Sequence, residues 1–155
     1  MHTIAAKAVC FHEAMQPAFR EYQRQVVKNA AALAEALQQE GMRLVSGGTD
    51  NHLMLADVSV LGRTGAEMQE LLDRANITAN KNAIPFETLS VREASGVRFG
   101  TPATTSRGMK EAEMRKIGGM IGKLTREGEA AVPAVKEETL ALCREFPLYG
   151  NTELQ

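Results

Sequence analysis

Residues 42–67 read MRLVSGGTDNHLMLADVSVLGRTGAE, and the fold class turns on them. Two short apolar runs, Met42 to Val45 and Leu53 to Val58, flank the turn-forming Ser46-Gly47-Gly48-Thr49-Asp50. Apolar runs of this length, separated by a Gly/Ser/Asp cluster, read as strands joined by a turn. Directly after them comes Thr64-Gly65-Ala66-Glu67. This is a capping box, in which a Thr hydroxyl and a Glu carboxylate satisfy each other's backbone donors at a helix start. Met68, Leu71, Leu72 and Ala75 then recur at helical spacing, so the strand pair leads into an amphipathic helix.

Working upstream, His2 to Met15 reads as helix, with Ile4, Ala8, Phe11 and Met15 at i, i+4, i+7 and i+11. Ala5, Val9 and Cys10 make it apolar around most of its circumference, and such a helix is normally buried on several sides. It starts at residue 2 with no cap before it, which leads us to expect a segment upstream in the parent protein. Pro17, tolerated at the first helical position, opens a second helix to Gln39. Val26, Ala30, Leu33, Ala34 and Leu37 form its buried stripe, and Gly41 supplies a left-handed cap.

Working downstream, Ile77 to Ala79 is brief and extended. Lys81 to Ala94 contains Pro85 and no helical period, and reads as a long loop of the kind that often carries function. Ser95 to Thr101 is a third strand, closed by Pro102. A helix from Lys110 to Glu127 presents Met114, Ile117, Ile121 and Leu124 on one face, and a last helix from Val132 to Phe146 is stopped by Pro147. The order of helices, strands, helix, strand and helices implies an α+β layer: a small antiparallel or mixed sheet covered on one side by helices.

The 155 residues suit one domain, and their 18 Lys+Arg against 19 Asp+Glu give a net charge of −1. With 44% hydrophobic and 24% charged residues, the chain is neither disordered, collagen-like nor a disulfide scaffold. Near-zero charge gives no electrostatic footprint for nucleic acid. The longest apolar run, Ala30 to Ala34, is far too short for a membrane span, and the N-terminus lacks the pattern of a signal peptide. Cys10 and Cys143 have no metal spacing and read as two reduced, buried thiols of a cytoplasmic protein.

Few residues carry chemistry on residue type alone. Ser46-Gly47-Gly48-Thr49 matches no phosphate-binding fingerprint and reads as a tight turn. His52 reads as a hydrogen-bonded structural residue, and His2 and His12 lack the spacing of metal ligands. Arg98 lies in Ser95-Gly96-Val97-Arg98-Phe99-Gly100-Thr101-Pro102, where alternation puts Val97 and Phe99 on one face and Arg98 on the other. The flanking glycines leave room for a ligand or backbone to come close. A guanidinium on a strand suits a two-pronged grip on a carboxylate, but on residue type alone a structural ion pair is the favoured reading. Asn80-Lys81-Asn82 offers two amides around a lysine, which could donate and accept for a polar heterocycle but taken alone reads as loop and turn chemistry. Arg107 equally suits a surface charge at a helix start.

Taken in order, several segments resemble one family. They are Met1-His2-Thr3-Ile4-Ala5-Ala6-Lys7-Ala8-Val9, Ser46-Gly47-Gly48-Thr49-Asp50-Asn51-His52-Leu53, Ala75-Asn76-Ile77-Thr78, Asn80-Lys81-Asn82-Ala83-Ile84-Pro85, Ser95 to Ala103, and Arg107-Gly108. From Met1 to about Tyr149 the chain resembles the C-terminal third of serine hydroxymethyltransferase. The resemblance implies the small C-terminal domain of a fold-type I, aspartate aminotransferase-like enzyme that uses pyridoxal phosphate and tetrahydrofolate to interconvert serine and glycine. It implies that Arg98 binds the substrate carboxylate and that Asn82 contacts the folate. Asn51 and His52 fall in a family signature and are read as architectural. Val91 stands where the family commonly has proline. The family's cofactor lysine, in a Thr-Thr-Thr-His-Lys-type motif, does not occur in this sequence. The resemblance therefore implies residues 1–16 as an interdomain helix, residues 17–155 as the small domain, a homo-oligomer, no catalytic residue in this chain, no tightly bound cofactor, and no turnover by the chain alone. The alternative is a non-catalytic interaction module that pairs with itself, or with a separate large-domain chain, through the apolar first helix.

Overall fold

The computed structural model describes residues 1–148. Ten main elements run in the order α1 (His2–Ala14), α2 (Pro17–Gln39), β1 (Arg43–Leu44), β2 (Leu53–Asp57), α3 (Gly65–Arg74), β3 (Asn80–Asn82), β4 (Gly96–Gly100), α4 (Pro102–Ser106), α5 (Glu111–Glu127) and α6 (Val132–Glu145). The strands form one sheet, ordered β1-β2-β4-β3, and every pairing is antiparallel. The expected α+β layer is present, and its sheet is antiparallel throughout rather than mixed.

The apolar periodicities account for the packing. Val26, Ala30, Leu33, Ala34 and Leu37 of α2 are buried, as are Met114, Ile121 and Leu124 of α5. Ile117 is partly buried beside that core. Thr64 and Glu67 close the capping box reciprocally at the start of α3, and Gly41 takes φ +91° just past the end of α2. Met54 and Ala56 of β2 and Val97 and Phe99 of β4 turn toward the helices and are buried.

One polar cluster fixes the corner after β4. Asn29, fully buried on α2, donates through Nδ2 to Thr105 Oγ1 at 2.8 Å and to the Met109 carbonyl at 2.9 Å. Thr101 Oγ1 donates to the Val26 carbonyl at 2.9 Å. A buried amide with its hydrogen bonds made specifies geometry, and here it ties the end of β4 to α2.

Four expectations need correction. Asn80–Asn82 is not loop but an edge strand, held by β4 and by Gln69 of α3, whose Oε1 accepts from the Lys81 amide at 2.8 Å. Pro102 does more than end β4: it sits at the first position of α4. Cys10 is exposed and Cys143 half-buried, so the thiols are free but not core. Finally, α1 buries none of its residues against the described chain, and Ile4 and Phe11 are each 65% exposed. Its apolar circumference predicts burial, and nothing in residues 1–148 supplies it. Of the segment 17–155 expected as one domain, residues 149–155 lie outside the described part.

Candidate functional site: the open face of the sheet

The face turned away from the helices carries the candidate residues. Register places Arg98 of β4 directly between Leu55 of β2 and Asn80 of β3, with Asn82 one pleat further along opposite Gly96. Residues two apart share a face, so Arg98, Asn80 and Asn82 rise from the same side. Arg98 is exposed and makes no ion pair among the described residues. Its Nη2 donates to Asn80 Oδ1 at 3.2 Å. It borders an open groove of about 460 Å³ that His52, Thr78 and Asn80 also line.

His52 differs from its expected role. Its ring makes no hydrogen bond among the described residues, and its backbone carbonyl accepts from the Thr101 amide at 3.0 Å. The turn before it is architectural. Thr49 Oγ1 donates to the Leu53 carbonyl at 2.6 Å, and Asn51 Oδ1 accepts from the Leu53 amide at 3.0 Å. Ser46 Oγ donates to the Gly48 carbonyl at 2.7 Å, so the polar groups of the Gly-rich turn serve one another. Among the described residues no cluster of three or more His, Cys, Asp or Glu could hold a metal ion.

Asn82 is half-buried, and its Nδ2 donates to the Ala83 carbonyl at 2.8 Å. The close approach that glycine permits here is made by the Asn82 backbone and by the side chains of Ile84 and Leu55. A Cβ on Gly96 would lie 2.7 Å from the Asn82 carbonyl oxygen and 2.9 Å from Leu55 Cδ1.

Periodicity did not reveal two features. The first is Glu87, which organises the loop after β3. Its carboxylate accepts from Ser95 Oγ at 2.6 Å, from the Ser95 amide at 2.8 Å and from the Leu89 amide at 2.9 Å. The Ser95 hydroxyl and the Leu89 amide, against a small opposing effect of burial, hold its pKa at about 2, below the ordinary 4.5. The loop tip is strained, for Phe86 takes φ +61° and is 99% exposed, a conformation bulky residues seldom adopt. The available signal was that Glu87 is the only charged residue between Lys81 and Arg92. The second is Arg107, which is no helix-start surface charge. It follows α4, its Nη2 donates to the Cys143 carbonyl at 3.0 Å, and its Nε is buried with no hydrogen-bond partner among the described residues.

A second arginine on this sheet shows the contrasting arrangement. Arg43 of β1 stands opposite Asp57 of β2 and donates to its Oδ2 from Nε at 3.0 Å and from Nη2 at 2.6 Å. Burial would raise the Asp57 pKa, but hydrogen bonds from Ser59 and Arg43 outweigh it and leave the carboxyl below its usual range. That guanidinium is closed by its acid. The Arg98 guanidinium is open.

Among the described residues no lysine lines the Arg98 groove, and Lys81 Nζ is turned to the Arg92 carbonyl at 2.5 Å. The groove's residues therefore suit a carboxylate ligand and do not suit covalent capture of an aldehyde cofactor.

The α+β layer with its small antiparallel sheet is consistent with the small C-terminal domain of a fold-type I enzyme. More narrowly, the chain belongs to the serine hydroxymethyltransferase family, whose profile matches residues 1–121. It is 53% identical over 153 residues to the serine hydroxymethyltransferase of Myxococcus xanthus (strain DK1622). That match covers 97% of this chain and 37% of the length of the Myxococcus enzyme. The chain corresponds to a C-terminal part of the family's fold.

Proposed function

We propose that this chain supplies the substrate side of a serine hydroxymethyltransferase. Arg98 grips the carboxylate of serine or glycine, and Asn82 contacts tetrahydrofolate. The observation that carries this reading is the Arg98 guanidinium, exposed on the open face and paired with no acid among the described residues. A rigid strand presents its fork, and two parallel hydrogen bonds to a carboxylate fix orientation as well as position. Orientation of reacting groups is worth several kcal/mol in typical cases, roughly 7–11 kcal/mol at the extreme. The Asn82 amide can donate to and accept from a polar heterocycle.

The whole enzyme then interconverts serine and glycine in the cytoplasm, as a homo-oligomer, and passes the one-carbon unit to tetrahydrofolate. Pyridoxal phosphate, bound outside this chain, supplies the electron sink. Alone, this chain turns nothing over. The test is to exchange it for the corresponding segment of the Myxococcus enzyme and follow serine cleavage. We expect activity from the chimera, an increase in serine KM of about tenfold or more on Arg98→Lys, and none from the isolated chain. Near-normal glycine affinity in Arg98→Lys, or turnover by the isolated chain, would overturn the reading.

The bare helix α1 favours a second reading, a non-catalytic module that pairs with itself or with a separate large-domain chain. Ile4, Val9, Phe11 and Met15 are all more than half exposed. An apolar surface of this kind marks an association site. Light scattering over a range of concentrations decides it: this reading requires an assembly that Phe11→Asp dissolves, and a monomer at every concentration removes self-pairing.

A further inference from the structure

We infer that Asn80 is a positioning residue for Arg98: its neutral amide oxygen holds the guanidinium in place while leaving its charge and most of its donors free for a carboxylate. This rests on the assignment of Arg98 to substrate binding.

The sheet itself supplies the comparison. Two arginines stand opposite a short polar residue on the neighbouring antiparallel strand, Arg43 opposite Asp57 and Arg98 opposite Asn80. Where that residue is an acid, it takes two donors of the fork. Where it is an amide, it takes one, from Nη2 at 3.2 Å. A guanidinium has five N–H donors and no acceptor, so the oxygen of Asn80 must be the atom that faces it. Asn80 is itself braced. Its Nδ2 donates to the Lys81 carbonyl at 3.1 Å, and the next amide, that of Lys81, is anchored on Gln69 Oε1 at 2.8 Å.

The chemistry explains why a neutral partner suits this position. Arginine has many rotamers, and a ligand that must order them binds more weakly. One hydrogen bond made beforehand restricts the side chain. A carboxylate would restrict it more firmly, but would also form the bidentate pair that a substrate carboxylate needs. Asn80→Asp, almost identical in shape, therefore turns the open pair into the closed kind seen at Arg43.

The test uses the chimeric enzyme with Asn80→Asp, Asn80→Ala and Arg98→Lys, each checked for an unchanged melting transition. We expect Asn80→Asp to raise the serine KM about tenfold or more with kcat within about threefold, and Asn80→Ala to raise it less. A purely structural Asn80, whose Nδ2 bond to the Lys81 carbonyl Asp loses, would show in the melting transition and leave the serine KM unchanged. Normal KM in Asn80→Asp, alongside weakened binding in Arg98→Lys, overturns this inference and leaves the proposed function standing. Normal binding in Arg98→Lys overturns the proposed function itself. Loss of kcat alone in the Asn80 variants makes Asn80 something other than a positioning residue. Should Asn80→Asp fail to fold, Asn80→Ala decides: an unchanged serine KM refutes the role.

Discussion

The two faces of the sheet are built from the same strands, yet they do different work. On the covered face Met54, Ala56, Val97 and Phe99 are buried against the helices. On the open face the intervening positions hold Leu55, Arg98, Asn80 and Asn82. The two-residue period of a strand thus sets an apolar, core-packed row on one face and the Arg98–Asn80 pair on the other.

The largest expected effect lies on the covered face. Phe99→Ala should cost about 3–5 kcal/mol, read from urea unfolding of the 155-residue chain. A loss below about 1 kcal/mol would break the contrast, because Phe99 would then not be carrying core packing. Next comes Gly96→Ala, where a new Cβ would meet the Asn82 carbonyl oxygen at 2.7 Å. We expect about 1–3 kcal/mol of destabilisation together with weakened folate affinity in the chimera, since β3 must move to make room. If stability falls and folate affinity does not, Asn82 is not a contact.

The smallest effect is local. Glu87→Gln should speed hydrogen exchange at the Leu89 and Ser95 amides and change little else. The same clamp has a pH signature. A carboxyl whose folded pKa is depressed stabilises the folded state above its ordinary value, and that contribution is lost as pH falls toward the folded value. Protection of those amides, taken relative to their unstructured exchange rates at each pH, should therefore be full above about pH 4.5 and be lost as the pH falls toward about 2. Protection unchanged down to pH 2 would show that the carboxylate does not hold the loop.

What the sequence made legible follows from local physics. The stripe of α2, the capping box at Thr64 and the parity of Arg98 each depend on residues within a few positions of one another. What stayed hidden depends on residues far apart. Asn80-Lys81-Asn82 has no apolar alternation, and β4 and Gln69 make it a strand. The neutral partner of Arg98 needs a register that links positions 18 residues apart. Glu87 closes its loop on Ser95, eight residues away, which no period announces. Periodicity marked α1 as apolar but had no means of naming what covers it, and Cys10, expected in a core, is exposed with it. From the sequence Pro102 signals only the stop it makes for β4, though the same fixed φ starts α4.

The central claim is that Arg98 binds and does not stabilise. Arg98→Ala tests it with two numbers from one substitution: the unfolding free energy of the chain and the glycine Kd of the chimera. The account predicts an unfolding free energy within about 0.5 kcal/mol of the unsubstituted chain and a Kd weaker by about a hundredfold. A chain destabilised by more than about 1 kcal/mol with glycine affinity intact would make Arg98 a structural residue and contradict it.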